Sequence, residues 1–111
     1  MRNIYSVSRL LSAQEMNVEV ATDKKEIMEF LNKPIQVDII LFDMVLKGMD
    51  PFQVLSDFRL RCMETPIIVL SSNFSMSERE KVILRGASDY ISKPIDINQL
   101  YSLLRVWLYK E

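Results

Sequence analysis

The apolar run at residues 37–42 constrains the fold of this chain more than any other feature of its sequence. Asp38 is the single polar member of the run, in which β-branched residues are frequent. A nearly continuous run of this kind is typical of a strand that is buried on both faces of a parallel sheet. A second run, at residues 66–70, has the same character. Because parallel strands need long crossover connections, usually helices, the two runs predict an α/β fold.

Helical and strand periodicities alternate along the rest of the chain. Helical spacing predicts helices over about residues 2–14, 24–32 and 51–62, one more that ends before Gly86, and a last one that starts at Asp96 or Asn98. Short strands are predicted at residues 17–22, where Val18 and Val20 share one side, and at residues 89–93. The predicted order is α-β-α-β-α-β-α-β-α in one domain spanning residues 1–111, with right-handed crossovers and both faces of the sheet covered.

The helix before Gly86 has two candidate starting points. Each is a capping box, and they are Ser75-x-x-Glu78 and Ser77-x-x-Glu80. We expect this helix to bury Val82, Ile83 and Leu84. Gly86 is predicted to end it, since glycine readily adopts the left-handed conformation that follows many helices.

Composition excludes several classes of function. The chain has no histidine, which rules out Ser-His-Asp triads and His-ligated metal sites within it, and its two glycines cannot form a P-loop or a dinucleotide-binding turn. The single cysteine forms no internal disulfide, and no apolar run approaches the roughly 20 residues that span a bilayer. A net charge of −1 gives no indication of nucleic-acid binding. We therefore expect a cytoplasmic protein without membrane insertion or nucleic-acid partner.

Three reactive side chains stand where predicted strands end. They are Asp43, Ser71 and Lys93. Because ligand sites of parallel sheets lie at the carboxyl ends of the strands, a carboxylate, a hydroxyl and an ammonium would meet there. Asp43 would accept a phosphoryl group as an acyl phosphate, Ser71 would donate a hydrogen bond to it, and Lys93 would offset its charge. Each residue alone would more often be a cap, a turn residue or a solvated charge.

These residues lie within segments that resemble the receiver domains of two-component response regulators. The segments are DIILFDM at 38–44, GMD at 48–50, PIIVLS at 66–71 and GASDYISKP at 86–94. The spacing also suits this family, with 28 residues from Asp43 to Ser71 and 22 from Ser71 to Lys93. The likeness covers essentially the whole chain and is greatest to receivers attached to hybrid sensor histidine kinases.

The resemblance implies a fold, a function and a set of residue roles. The fold is a flavodoxin-like doubly wound parallel sheet. The function is to take a phosphoryl group from a histidine kinase or a histidine phosphotransfer protein, with the aid of Mg²⁺. Such a phosphoacceptor is not a conventional enzyme, although it assists its own phosphorylation and dephosphorylation. By position, Asp43 is the phosphoacceptor and a metal ligand, Ser71 the switch hydroxyl, Lys93 the phosphate-pairing lysine, Tyr90 the rotating aromatic, and Val45 a metal ligand through its backbone carbonyl.

The sequence departs from the family at its start. The usual first strand, and the acidic pair that ends it, are missing from these residues, which suggests an N-terminally truncated form. We therefore expect weak Mg²⁺ binding, because the motif keeps one carboxylate. The gap in the sheet would be closed by residues 17–22 pairing beside residues 37–42, would be covered by a second chain through self-association, or would leave residues 1–33 less ordered than the rest.

Two other functions stay open at this point. One is a pseudo-receiver, an interaction module that works without phosphorylation and in which Asp43 is a relic. The other is a hydrolase with an aspartate nucleophile. Such a hydrolase needs a second acid two residues after the nucleophile, and Val45 stands there.

Overall fold

The computed structural model describes residues 9, 11–14, 16–73 and 75–109. Four helices and three strands lie within this part of the chain. In chain order they are α1 (Lys24–Leu31), β1 (Ile40–Asp43), α2 (Pro51–Arg61), β2 (Ile67–Ser71), α3 (Met76–Leu84), β3 (Asp89–Ser92) and α4 (Ile97–Leu108). The strands form one parallel sheet in the order β1-β2-β3. The predicted α/β fold with alternating strands and helices is confirmed.

The centre of the sheet is β2, whose five residues are all buried. Its alternate side chains serve two separate cores, since Ile67 and Val69 join one apolar cluster and Ile68 and Leu70 join the other. Helices α1, α2 and α3 cover the first face through residues such as Leu55 and Val82, and α4 covers the second. Each fully buried aliphatic side chain contributes about 1.5–3 kcal/mol, so β2 holds the two layers together.

The segment 17–22 does not form the predicted strand. Over residues 17–20 the side chains do alternate between exposed and half-buried, and Val18 packs on one core while Ala21 packs on the other. The alternation in the sequence therefore reports side-chain packing rather than strand hydrogen bonds. In the described sheet β1 pairs with β2 and with no other strand, so the expected pairing of residues 17–22 beside β1 is wrong.

Two other predictions concern helices, and their outcomes differ. The helix expected over residues 2–14 lies mostly outside the described residues, although Leu11 is helical and buried in the α4-side core. In α3, Val82 is fully buried as predicted, but Ile83 is 43% and Leu84 is 86% exposed. Successive helix positions lie about 100° apart, and α3 contacts the rest of the domain along one narrow face.

Each described helix begins directly after a residue whose side chain caps it. Asp23, Asp50, Ser75 and Asp96 each accept a hydrogen bond from a backbone N–H in the first turn of the helix that follows. Of the two starting points predicted for α3, the one at Ser75 is observed, with Ser75 Oγ accepting from the Glu78 N–H at 3.1 Å, although the Glu78 carboxylate does not complete the capping box. Among the described residues, no helix has the length and apolarity that crossing a membrane requires.

One arginine organises the loops at the amino end of the sheet. Arg59 Nη1 donates to three backbone carbonyls in the loop before β2, those of Cys62 at 2.9 Å, Met63 at 3.1 Å and Thr65 at 2.7 Å. Its Nε donates to the Gly86 carbonyl at 2.9 Å, and its Nη2 donates to Ser88 Oγ at 3.3 Å. We call Arg59, Ser88 and these carbonyls the amino-end network.

Gly86 is the residue that lets this arginine approach the loop after α3. Its φ of 115° lies in the region that glycine adopts without strain. A Cβ atom there would lie 2.6 Å from Arg59 Cγ, far inside van der Waals contact. The glycine predicted to end the helix therefore also makes room for the amino-end network.

Candidate functional site

The structure places the three predicted reactive residues at one edge of the sheet. Asp43 is the last residue of β1, Ser71 is the last of β2, and Lys93 directly follows β3. The register aligns Ser71 with Ser92, and the Lys93 N–H donates to the Ser71 carbonyl at 2.7 Å. The three parallel strands thus bring a carboxylate, a hydroxyl and an ammonium to their common carboxyl end.

Asp43 and Lys93 form a direct ion pair. Lys93 Nζ lies 2.8 Å from Asp43 Oδ1 and 2.7 Å from Oδ2, so the ammonium bonds to both carboxylate oxygens. The side chains are 10% exposed for the lysine and 19% for the aspartate. The Val45 N–H also donates to Asp43 Oδ1, at 2.9 Å, which fixes the carboxylate in the loop. Partial burial strengthens this pairing relative to a surface ion pair.

Ser71 is buried beside this pair, but its hydroxyl is bonded elsewhere. Its Oγ donates to Glu78 Oε2 at 2.8 Å and accepts from the Asn73 N–H at 3.1 Å. Within the described residues it makes no hydrogen bond to Asp43 or Lys93. The structure therefore brings Asp43 and Lys93 into contact and leaves the Ser71 hydroxyl turned toward α3.

Tyr90, the predicted rotating aromatic, meets the same glutamate. Its hydroxyl lies 3.0 Å from Glu78 Oε2 and also donates to the Asn73 carbonyl. Burial raises the pKa of Tyr90 above its ordinary value. The hydrogen bond to Glu78 and the negative charge of that carboxylate add to the rise. We call Ser71, Glu78, Tyr90 and Asn73 the carboxyl-end network.

The role of Glu78 in this network was missed by reasoning from the sequence. In a complete capping box its carboxylate would return to the backbone N–H of Ser75. Here the Ser75 N–H donates instead to Asn73 Oδ1 at 2.8 Å, so Glu78 is available to the two hydroxyls. The available signal was its place in the first turn of the helix that follows Ser71, which brings it back over the end of β2.

The donor set described at this edge does not fit a complete Mg²⁺ site. Mg²⁺ prefers a near-octahedral shell of oxygens, and Asp43 already binds Lys93 through both of its oxygens. The parts of the chain that the structure covers contain no group of three or more His, Cys, Asp or Glu residues that could hold a metal ion. Val45, which is predicted to bind the metal through its backbone carbonyl, lies two residues after Asp43, and its N–H donates to Asp43 Oδ1 at 2.9 Å.

Comparisons with known proteins agree with this architecture. The response regulator MprA of Mycobacterium leprae is 31% identical over 103 residues, which are 93% of this chain and 45% of that protein. The chain therefore spans less than half the length of this curated relative. The receiver domain of NtrX from Brucella abortus superposes with a TM-score of 0.82 at 22% identity, covering 95% of this chain and 88% of that structure.

A second solved structure shows a bound metal. The receiver domain of the sensor histidine kinase PA1611 from Pseudomonas aeruginosa has a magnesium ion coordinated in its active site cleft. It matches with a TM-score of 0.77 at 23% identity, over 94% of this chain and 86% of that one. The sequence profile of the response regulator receiver domain matches residues 2–105. With a sheet, strand-end residues and relatives of this kind, the chain belongs to the response regulator receiver domain family.

Proposed function

We propose that this receiver domain accepts a phosphoryl group on Asp43. The observation that carries the proposal is the direct ion pair between Asp43 and Lys93 at the carboxyl end of the sheet, beside the buried hydroxyl of Ser71. A carboxylate held in place by an ammonium is a positioned nucleophile. The same ammonium can then offset the negative charge that arrives with the phosphoryl group.

The proposed phosphoryl transfer replaces one bond to phosphorus with another. An oxygen of the Asp43 carboxylate attacks phosphorus and forms the new P–O bond, while the P–N bond to the donor imidazole breaks and the imidazole takes up a proton. Lys93 follows the charge from the carboxylate to the phosphoryl oxygens. Later attack of water on phosphorus returns the carboxylate and inorganic phosphate, which makes the site a phosphoacceptor with self-dephosphorylation rather than a conventional enzyme.

The proposal includes the partners and the location. A phosphohistidine donor must lie outside these 111 residues, because they contain no histidine. A histidine kinase or a histidine phosphotransfer protein supplies that chemistry, and the cytoplasm is where ATP-dependent kinases provide it. Self-association through the edge of β1, which pairs with β2 alone in the described sheet, stays a prediction.

The proposal also includes weak Mg²⁺ binding at Asp43 and the Val45 carbonyl. Ligand charge count sets the affinity of such sites, and the described site offers one carboxylate that is already paired with an ammonium.

The test is labelling of the purified protein by acetyl phosphate in the presence of Mg²⁺. We expect label on the wild type, loss of label in Asp43→Asn, and wild-type labelling in Asp38→Asn. Asp38 is an exposed aspartate before β1 and so is a control for the chemistry of the substitution. Label on Asp43→Asn at the wild-type level would overturn the assignment, and an unlabelled wild type would favour the pseudo-receiver.

A further inference from the structure

We propose that Glu78 is a positioning residue that holds the unphosphorylated arrangement of this site and competes with the phosphoryl group for the hydroxyl of Ser71. The inference rests on the proposed function, since it names the group that the switch must displace. It assigns a role to a residue of α3 that touches neither Asp43 nor Lys93 through a hydrogen bond in the described structure.

The geometry of Glu78 is that of a shared acceptor. One oxygen, Oε2, receives the Ser71 hydroxyl at 2.8 Å and lies 3.0 Å from the Tyr90 hydroxyl. The side chain is half-buried, and among the described residues its carboxylate forms no ion pair. Hydrogen bonds to an ionised acceptor are about twice as strong as neutral ones, so the Ser71 hydroxyl stabilises the charge most, while the Tyr90 hydroxyl shares its one proton between Glu78 and the Asn73 carbonyl.

The competition follows from proton counting. A serine hydroxyl has one proton to donate, and here it goes to Glu78. A phosphoryl group on Asp43 brings three acceptor oxygens and about two negative charges to the same edge. For Ser71 to bond to it, the Ser71–Glu78 hydrogen bond must break and a Ser71–phosphoryl hydrogen bond must form, with no covalent change.

The exchange also reaches Tyr90 and the loop. In this structure Ser71 Oγ accepts a hydrogen bond from the Asn73 N–H at 3.1 Å. When the Ser71 side chain rotates toward the phosphoryl group, this hydrogen bond breaks. Glu78 keeps its negative charge and has the Tyr90 hydroxyl as its remaining partner in this network. Glu78 thus couples the position of the tyrosine to the state of the serine through a single oxygen atom.

The experiment measures initial rates of acetyl phosphate labelling in matched variants. Glu78→Gln weakens the acceptor by removing its charge, and we expect labelling about tenfold faster than in the wild type, the difference between a charged and a neutral hydrogen bond. Glu80→Gln removes the same charge from an exposed position two residues away on α3, and we expect the wild-type rate. Glu78→Asp keeps the charge but withdraws it by one methylene, so an intermediate rate is expected.

A role through Ser71 has a signature that a structural role lacks. In a Ser71→Ala background, Glu78→Gln should no longer change the labelling rate, because the competed hydroxyl is gone. In the wild-type background, Glu78→Gln should also shift the amide resonance of Asn73, whose N–H bonds to Ser71. If Glu78→Gln does not fold, Glu78→Asp and its Ser71→Ala partner carry the same comparison.

The results test the role of Glu78 and the proposed function separately. Equal rates in the wild type and Glu78→Gln would overturn the role of Glu78 and leave Asp43 as the acceptor. An equal acceleration by Glu80→Gln, or one that persists without the Ser71 hydroxyl, would also overturn it. A wild type that takes no label would overturn the proposed function, and the role of Glu78 would fall with it.

Discussion

The two ends of the sheet carry polar networks of similar size but of different construction. At the amino end, the Arg59 guanidinium donates mainly to backbone carbonyls, which are fixed by the loops that contain them. At the carboxyl end, Glu78 accepts from the Ser71 hydroxyl and shares the one Tyr90 proton with the Asn73 carbonyl, and both hydroxyls can rotate to other partners. Backbone carbonyls cannot turn to other donors, so the hydrogen bonds at the amino end either form or break. Side-chain hydroxyls can rotate, so the hydrogen bonds at the carboxyl end can be exchanged for others. The difference indicates that the contacts at the amino end are set by the fold, whereas those at the carboxyl end can be exchanged by rotation of side chains, as the proposed function requires.

The largest effect should come from removing the centre of the amino-end network. We expect Arg59→Ala to lower the free energy of unfolding by about 3 kcal/mol or more, since several partly buried carbonyls lose a charged donor. Urea denaturation measures this loss. Arg61→Ala, which removes an exposed arginine of the same helix, should change stability by about 0.5 kcal/mol or less. A comparable loss in both variants would contradict the structural role of the network.

The second largest effect is expected at the carboxyl end, where a substitution should lower the rate of labelling far more than the stability. We expect Lys93→Met to slow acetyl phosphate labelling about 100-fold, because the arriving charge loses its counter-ion. The free energy of unfolding should fall by only about 1–2 kcal/mol, since the Asp43 carboxylate keeps the Val45 N–H as a donor and its side chain is 19% exposed to water. Lys25→Met, in an exposed part of α1, should label like the wild type. A stability loss as large as that of Arg59→Ala would remove the distinction between the two ends.

The smallest effect concerns the tyrosine of the carboxyl-end network. Its pKa is raised in the folded protein, with burial as the main cause, above an ordinary value of 10.0. The folded state therefore holds the tyrosine proton more tightly than the unfolded state does. The stability from this source is complete below pH 10.0 and falls as the pH rises through the folded pKa. We expect the difference in unfolding free energy between the wild type and Tyr90→Phe to shrink between pH 8 and pH 11, as urea titrations would detect. A difference that grows over this range would show that the pKa is lowered instead.

The sequence predicted the carboxyl edge well because strand ends in a parallel sheet converge by geometry. Asp43, Ser71 and Lys93 could be placed together once three strands had been recognised. The role of Glu78 could not, because a capping box accounts for a glutamate at that position and the side-chain direction depends on tertiary contacts. Residues 17–22 show the opposite failure, since an alternating pattern satisfied by side-chain packing does not require a hydrogen-bonded neighbour.

The complete burial of β2 has a consequence for the site. Ile67, Ile68 and Val69 are fully enclosed between two layers of helices, so a shift of the strand that carries Ser71 would disturb the packing of both cores. A change of partner by the hydroxyl is then a rotation about one torsion angle. Collective domain motions, by contrast, take microseconds to milliseconds. If Asp43 accepts a phosphoryl group as proposed, the response at this edge therefore requires the exchange of one hydrogen bond and no rearrangement of the buried strand.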